Sequence, residues 1–404
     1  MEKTPKSLRL HIALFGRTNV GKSSFLNLVA GQDVAMTSPV PGTTTDAVEK
    51  TMELLPIGPV VFIDTAGFED ETELGQERIR RSLKVFDRTD AALIFCPPEG
   101  VGKAEKDLFE LAREKNIPAV AVVTKTDLVQ PASSLAGELE ACGARSVICV
   151  SATDTANREK YVSLLKQALI EVLPEDFITP PPLLGDLLAP GGLAVLIVPI
   201  DIEAPKGRLI MPQVQTIRDA LDGDAMTLVV KTKEYPQALA MLNRKPDLVI
   251  CDSQVVHHMV KNTPEDIPCT TFSILFSRLK GDFALLAEGT RAIGRLRDGD
   301  RVLIAEACSH HAMDDDIGRV KIPRLLRACT QADLQIEFSS GRDYPEDLEK
   351  YKLIVHCGGC MLNRREVLSR LQRAAAKGVP VTNYGMCISY TQGVLERVLS
   401  PFNA

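Results

Sequence analysis

An apolar run, LRLHIALFG, leads directly into GRTNVGKSS, and the residues Gly16 to Ser23 follow the pattern G-x-x-x-x-G-K-[ST]. No other stretch constrains the fold so tightly. The run predicts a short strand, and the glycines behind it predict a backbone that can wrap a phosphate with its N–H groups turned inward. A helix beginning near Lys22 then aims its positive dipole end at the same point. Strand, loop and helix in that order are the opening unit of a parallel α/β sheet. Gly16, Asn19, Val20, Gly21, Lys22, Ser23 and Ser24 are the expected loop residues. Lys22 is expected to bridge the β- and γ-phosphates of a nucleotide, and the Ser23 hydroxyl to ligate Mg2+.

Further motifs extend this reading. VVFIDTAG places Asp64 at a strand end and Gly67 just beyond it. Asp64 is expected to hold Mg2+ through water, and the Gly67 N–H to sense the γ-phosphate. AVAVVTKTD ends another strand at Thr124, Lys125 and Asp127. A carboxylate at 127 can accept from both N1–H and N2–H2 of guanine, a pair of donors that adenine lacks. VICVSAT puts Ser151 and Ala152 where a loop would close over that base. PGTTTD, residues 41 to 46, reads as a switch segment, with Thr43 beside the nucleotide and Thr44 on Mg2+. Five motifs in this order predict a P-loop domain of the small Ras-like kind that binds and hydrolyses GTP, with Lys22, Thr44, Asp64 and Gly67 as its catalytic set.

Two substitutions narrow the type. A Ras-like enzyme carries Gln directly after D-x-x-G to orient the attacking water, and here that residue is Phe68, which cannot. The base motif N-K-x-D has Thr124 where Asn is usual. Guanine selectivity is expected to survive through Asp127, with the Thr124 hydroxyl a weak substitute. Asn19 is either a turn-forming amide or a ligand for a monovalent cation. In the second role it resembles the potassium-activated GTPases related to the tRNA-modification enzyme MnmE, where such an Asn helps hold K+ beside the phosphates.

At 404 residues the chain is too long for one ordinary core, so two or three domains are expected. Short β-branched runs alternate with amphipathic stretches throughout, which predicts α/β architecture with largely parallel sheets. Prolines and glycines over residues 174 to 192 exclude regular structure there. The expected division is 1–174 for the nucleotide domain, 175–268 for a linker and middle α/β domain, and 269–404 for a last α/β domain. A net charge of −6 offers no basic surface for nucleic acid. No apolar run reaches membrane-span length, and the N-terminal stub lacks a signal-peptide pattern, so a cytoplasmic protein is expected.

Ten cysteines in such a protein are not expected to form a disulfide framework. Cys96, Cys142, Cys149, Cys251 and Cys269 lie in or beside apolar stretches and are expected to be small buried residues. Cys308 in EACSHH and Cys357 and Cys360 in HCGGC are different. Cys308 and Cys357 each end an apolar strand, and open parallel sheets bind ligands outside those ends. Cys357 and Cys360 have the C-x-x-C spacing that lets two thiolates chelate one metal centre. Gly358 and Gly359 keep that turn open. Three readings follow: unrelated structural cysteines, a zinc site of Cys and His, or an iron–sulfur cluster with three thiolates and an exchangeable fourth ligand.

C-S-H followed by H-C-G-G-C, behind a potassium-type GTPase domain, resembles the HydF family, the maturation GTPases of iron-only (FeFe) hydrogenases. The resemblance runs over the whole chain. It implies a 4Fe–4S cluster on Cys308, Cys357 and Cys360, and homodimerisation through the middle domain. It also implies a scaffold that receives a di-iron precursor from radical-SAM maturases and passes it to the apo-hydrogenase. The fourth ligand stays open between Asp186, His310 and His356. His311 and the acidic run from Asp314 to Asp316 read as surface. Residues 363 to 378 predict a basic helix with a solvated face. His257 and His258 lie in a polar helix and carry no assignment. The rival reading is a GTPase with a structural zinc domain in RNA modification or ribosome assembly, which lacks the basic surface such work needs.

Overall fold

A computed structural model describes residues 4–31, 48–67, 84–173, 183–200, 207–307, 316–341 and 344–402. Thr43, Thr44, Phe68, Cys308, His310 and His311 lie outside these residues, as do residues 174–182 of the proline-rich segment. The chain divides into two compact units, Met1–Pro180 and Pro181–Ala404.

The first unit is built on β1 (Leu10–Gly16), β2 (Val48–Leu54), β3 (Gly58–Asp64), β4 (Ala91–Cys96), β5 (Ala119–Val123) and β6 (Ser146–Cys149). They form one sheet in the order β2-β3-β1-β4-β5-β6. Only β2 runs antiparallel to its neighbour. The central strands β1, β4 and β5 are buried along their whole length, which is why they read as continuous apolar runs rather than alternating ones. Helices Lys22–Ala30 and Arg158–Val172 pack on one face around Phe25, Leu26 and Leu165. Helices Lys103–Glu114 and Leu135–Cys142 cover the other around Phe109 and Leu139. Truncating a buried ring such as Phe25 costs about 3–5 kcal/mol in comparable cores. Both faces being covered leaves the strand ends as the free edge of the sheet.

The second unit carries two parallel sheets. β7 (Leu193–Ile197), β8 (Met226–Val230), β9 (Leu248–Cys251) and β10 (Cys269–Thr271) are ordered β10-β9-β7-β8. β11 (Arg301–Ala305), β12 (Gln335–Ser339), β13 (Leu353–His356) and β14 (Val381–Asn383) are ordered β12-β11-β13-β14. One apolar cluster includes residues of both, from Val195 in β7 to Val355 in β13 and on to Leu399. The sequence places residue 269 at the start of the last domain, and the structure puts Cys269–Thr271 in the first of these sheets, hydrogen-bonded to β9. A three-residue strand directly after Pro268 is too short to carry a periodic signal. Helices leave several strand ends through short polar caps. Thr271 accepts from the Ile274 N–H at 3.2 Å, and Asn383 from the Met386 N–H at 2.8 Å.

Cys96, Cys251 and Cys269 are buried as expected. Cys149 is exposed and Cys142 half-buried, contrary to expectation. Cys149 ends β6, the edge strand, which pairs with a neighbouring strand on one side only. Among the described residues, no helix is long and apolar enough to cross a membrane.

Candidate functional site

The loop between β1 and the helix Lys22–Ala30 takes the backbone form that its glycines permit. Gly16 has φ +148° and Gly21 φ +110°, and a Cβ on Gly16 would lie 2.8 Å from the Phe95 carbonyl oxygen. Asn19, exposed, holds φ 62°, a left-handed angle that Asn tolerates better than most residues. The Lys22 ammonium is buried and donates to the Gly16 oxygen at 2.9 Å and the Arg17 oxygen at 2.7 Å. Burial lowers its pKa to about 8, against the attraction of Asp64.

Asp64 closes β3 opposite Leu14 in β1, and this register carries it to the loop. The Ser23 hydroxyl donates to Asp64 Oδ2 at 2.5 Å. Burial raises the Asp64 pKa, opposed by that hydrogen bond and by Lys22. Among the described residues its other oxygen, Oδ1, is buried without a hydrogen-bond partner. A buried acceptor left over beside a serine hydroxyl suits a hard cation that keeps its waters, which is the chemistry of Mg2+.

Gly67 passes so close to the phosphate loop that a Cβ there would lie 2.5 Å from the Thr18 nitrogen and 2.6 Å from its Cα. Backbone cannot yield as a flexible side chain can. The Gly67→Ala variant is expected to carry about 1–3 kcal/mol of overpacking strain, weakening nucleotide binding by roughly 5- to 150-fold. Titration with a fluorescent GDP analogue measures this. An unchanged Kd would show that the two loops need not touch.

On the base side, Thr124 is buried and its hydroxyl donates to the Val20 oxygen at 2.5 Å. The residue standing in for Asn therefore ties the base-reading strand to the phosphate loop. Asp127 is exposed, and accepts from Ser151 Oγ at 2.8 Å and Thr153 Oγ1 at 3.1 Å. The Ser151 bond is the largest influence keeping its carboxyl below the usual range. Lys125 turns outward at φ 55°, and Ala152 follows Ser151 at the same rim. Two members were not evident in the sequence. Thr153 gave no signal beyond its place next to VSA. The buried Glu105 accepts from Arg17 of the loop at 2.6 Å and from the Gly102 N–H at 2.9 Å, across a separation in sequence that no local pattern reports.

The second cluster of chemistry lies at the C-terminal ends of β11 and β13, adjacent parallel strands. The Cys357 N–H donates to the Ala305 oxygen at 2.9 Å, and the Ala307 N–H donates to Cys357 Sγ at 3.0 Å. The residue before Cys308 is thus bonded to the sulfur of Cys357. Cys357 and Cys360 are both half-buried. Gly359 between them adopts φ +61°, and a Cβ there would press on Val367 at 3.0 Å. Among the described residues, no three His, Cys, Asp or Glu side chains gather as a metal site.

The fourth-ligand candidates among the described residues already have partners. His356 is buried, with Nδ1 2.7 Å from the Cys357 oxygen and Nε2 3.5 Å from Arg370. Burial, then the Arg370 charge, lowers its pKa to about 4, so the ring is neutral. Asp186 is exposed and paired with Arg278. Asp316, on the edge of the acidic run, is buried and caps its own turn by accepting from the Arg319 N–H at 2.8 Å. Residues Arg364–Ala376 form the expected helix, but Arg370 on it is buried and bonds Glu366 at 3.1 Å, so that face is not solvated. Sequence reading also missed Lys280. It is buried and donates to the oxygens of Gly359 at 3.3 Å, Cys360 at 3.2 Å and Leu362 at 2.9 Å. Burial lowers its pKa to about 8, against Cys360 and Cys357. At the end of an apolar helix it reads in sequence as an ordinary C-terminal lysine.

Three family models match the chain in tandem. Residues 11–125 match the 50S ribosome-binding GTPase model, residues 183–281 the hydrogen maturase F dimerization domain, and residues 284–401 the hydrogen maturase F tetramerization domain. Among curated proteins, the tRNA modification GTPase MnmE of Dechloromonas aromatica is 35% identical over 165 residues, covering 40% of this chain and 35% of its own length. GTPase Der of Desulforamulus reducens is 36% identical, covering 30% of this chain and 28% of its own. GTPase Era of Lactobacillus helveticus is 32% identical, covering 40% and 54% respectively. The chain thus spans between about a quarter and a half of the length of these relatives.

Proposed function

Because this chain belongs to the hydrogen maturase F family, with a GTPase domain ahead of that family's dimerization and tetramerization domains, we propose that it is a GTP-hydrolysing iron–sulfur carrier in hydrogenase maturation. In this reading it receives a di-iron precursor from radical-SAM maturases and hands it to the apo form of an iron-only hydrogenase. The observation that carries the iron–sulfur part is the Ala307 N–H bonded to Cys357 Sγ. It ties Ala307, the residue before the C-x-H motif, to the C-x-x-C turn, and amide N–H bonds to sulfur are a recurrent support of iron–sulfur sites. Cys357 and Cys360, with Cys308 from beyond the described residues, would hold a 4Fe–4S cluster. When bound, the cluster supplies an iron with one exchangeable position at which a precursor can dock. Anaerobic purification tests the reading. Brown protein with iron and sulfide supports it, and a colourless protein with stoichiometric zinc favours the zinc-domain rival.

In the nucleotide site, Lys22 neutralises charge on the β- and γ-phosphates, Ser23 and Asp64 orient Mg2+, and Asp127 reads guanine. None of these orients the attacking water. Asn19 is exposed on the loop, and a K+ held there would add positive charge beside the phosphates. Turnover is expected to be faster in KCl than in NaCl of equal ionic strength. Equal rates would remove this role from Asn19.

Self-association fits the second unit. Among the described residues β8 pairs with a strand on one side only, and it exposes Met226 (50%) and Val229 (42%). An apolar open edge is a template for pairing with another strand, here a second copy of the chain. The Val229→Lys variant is expected to move the protein from dimer to monomer in size-exclusion chromatography with light scattering. An unchanged mass would place the interface elsewhere.

A further inference from the structure

Lys280 is the last residue of the helix Phe272–Lys280, which falls within the dimerization-domain match. Cys357 and Cys360 fall within the tetramerization-domain match. The lysine side chain is 2% exposed. All three of its hydrogen bonds cross to the other segment, to carbonyl oxygens of the C-G-G-C turn and of Leu362 just after it. The Gly359 oxygen that it holds also accepts from the Leu362 N–H at 3.0 Å, which closes the turn. Helix and turn together line a small pocket of about 20 Å³ that reaches Cys357, Gly358, Ser277 and Asn383.

A buried ammonium needs a counter-charge. Among the described residues no carboxylate forms an ion pair with Lys280, while both cysteines of the turn act on it electrostatically. Carbonyl dipoles offset part of the burial. The remaining partner is the negative charge of the cysteine sulfurs, which is fully developed when they bind metal.

We propose that Lys280 is a positioning residue for the iron–sulfur group: its ammonium fixes the turn between Cys357 and Cys360 and places a buried positive charge against the sulfurs, raising the reduction potential of the cluster. The inference rests on the cluster reading above. It makes the middle domain's last helix part of the cluster environment, so movement of that helix would alter the cluster's redox poise. A nearby buried cation favours the more negative, reduced form of a cluster, and net charge and hydrogen bonding are main determinants of cluster potential.

The test uses the full chain, reconstituted anaerobically with ferrous iron and sulfide, as parent, Lys280→Met, Lys280→Gln and Lys280→Arg. Iron and sulfide are counted, and the cluster is titrated by electron paramagnetic resonance. In the neutral variants the reduced-to-oxidised ratio at a fixed potential is expected to fall about tenfold, about 59 mV for one electron, and Arg is expected to restore it. Gln keeps donors for the carbonyls without charge, so it replaces Met where Met fails to fold. Loading by Arg alone supports the proposal as well. A neutral variant with the parent's potential overturns it, as does loss of the cluster in all three variants alike, which would mark a packing role. A parent chain without iron and sulfide removes the cluster reading itself.

Discussion

Replacing Lys22 with alanine is expected to lower kcat/KM for GTP by about 10²–10³-fold, the usual loss when one preorganised charge-stabilising donor is removed. Among the described residues, the basic side chains of the phosphate loop are already engaged. The Lys22 ammonium is buried and bonded to two loop carbonyls, Gly16 and Arg17. The nearby Arg17 guanidinium is engaged by the buried Glu105. The effect should divide between KM and kcat, because in the proposed role Lys22 would contact the phosphates in both ground and transition states. Phosphate release at saturating Mg2+ measures it, with nucleotide Kd taken separately. A loss below about threefold would show that the hydrolysed nucleotide is not seated in this loop.

Replacing Cys357 with alanine is expected to remove nearly all protein-bound iron and acid-labile sulfide after anaerobic reconstitution. The residue would supply one of three thiolates, and it alone of the described pair accepts an amide hydrogen bond, from Ala307. Its loss would remove that thiolate and the Ala307 bond to sulfur, while the backbone bond from residue 357 to the Ala305 oxygen at the end of β11 remains. Far-UV circular dichroism of the metal-free chain serves as the control for folding. A variant that keeps its full iron content would show that the cluster sits elsewhere. A colourless parent that loses one zinc on the same substitution would transfer the site to the structural-zinc reading.

The nucleotide site was largely legible in sequence because its parts are contiguous motifs. Phosphate loop, Asp64 and Asp127 each follow an apolar run, and in a parallel sheet the C-terminal ends of neighbouring strands share one edge. Register then does the rest: Leu14 pairs with Asp64, and Cys96 with Val123 just before Thr124. The use of the Thr124 hydroxyl was not legible. A threonine in place of an asparagine reads as a weakened base contact, and only the packed loop shows its proton donated to Val20.

The second unit was less legible. Its strands were visible as apolar runs, yet the share of each sheet was not, since β10 has three residues and directly follows a proline. Arg370, in the helix read as having a solvated face, is buried beside His356, and Lys280, to which the sequence reading gave no role, is buried against the cysteine turn. Long basic side chains have apolar stems, and local pattern does not tell which way such a stem turns.

What the sequence alone determined is therefore the set of local motifs: a phosphate loop, a carboxylate just beyond a strand end and a C-x-x-C turn, each a local pattern with its own physical demand on the backbone. Tertiary structure decided how these groups are wired. It brought Ala307 onto the Cys357 sulfur, buried the Asp64 carboxylate beside the Ser23 hydroxyl, and seated a lysine of one domain under the cysteine turn of another. Those contacts join residues some forty to eighty positions apart. They exist because neighbouring parallel strands end side by side and a helix lies against them, a relation that no short stretch of chain contains.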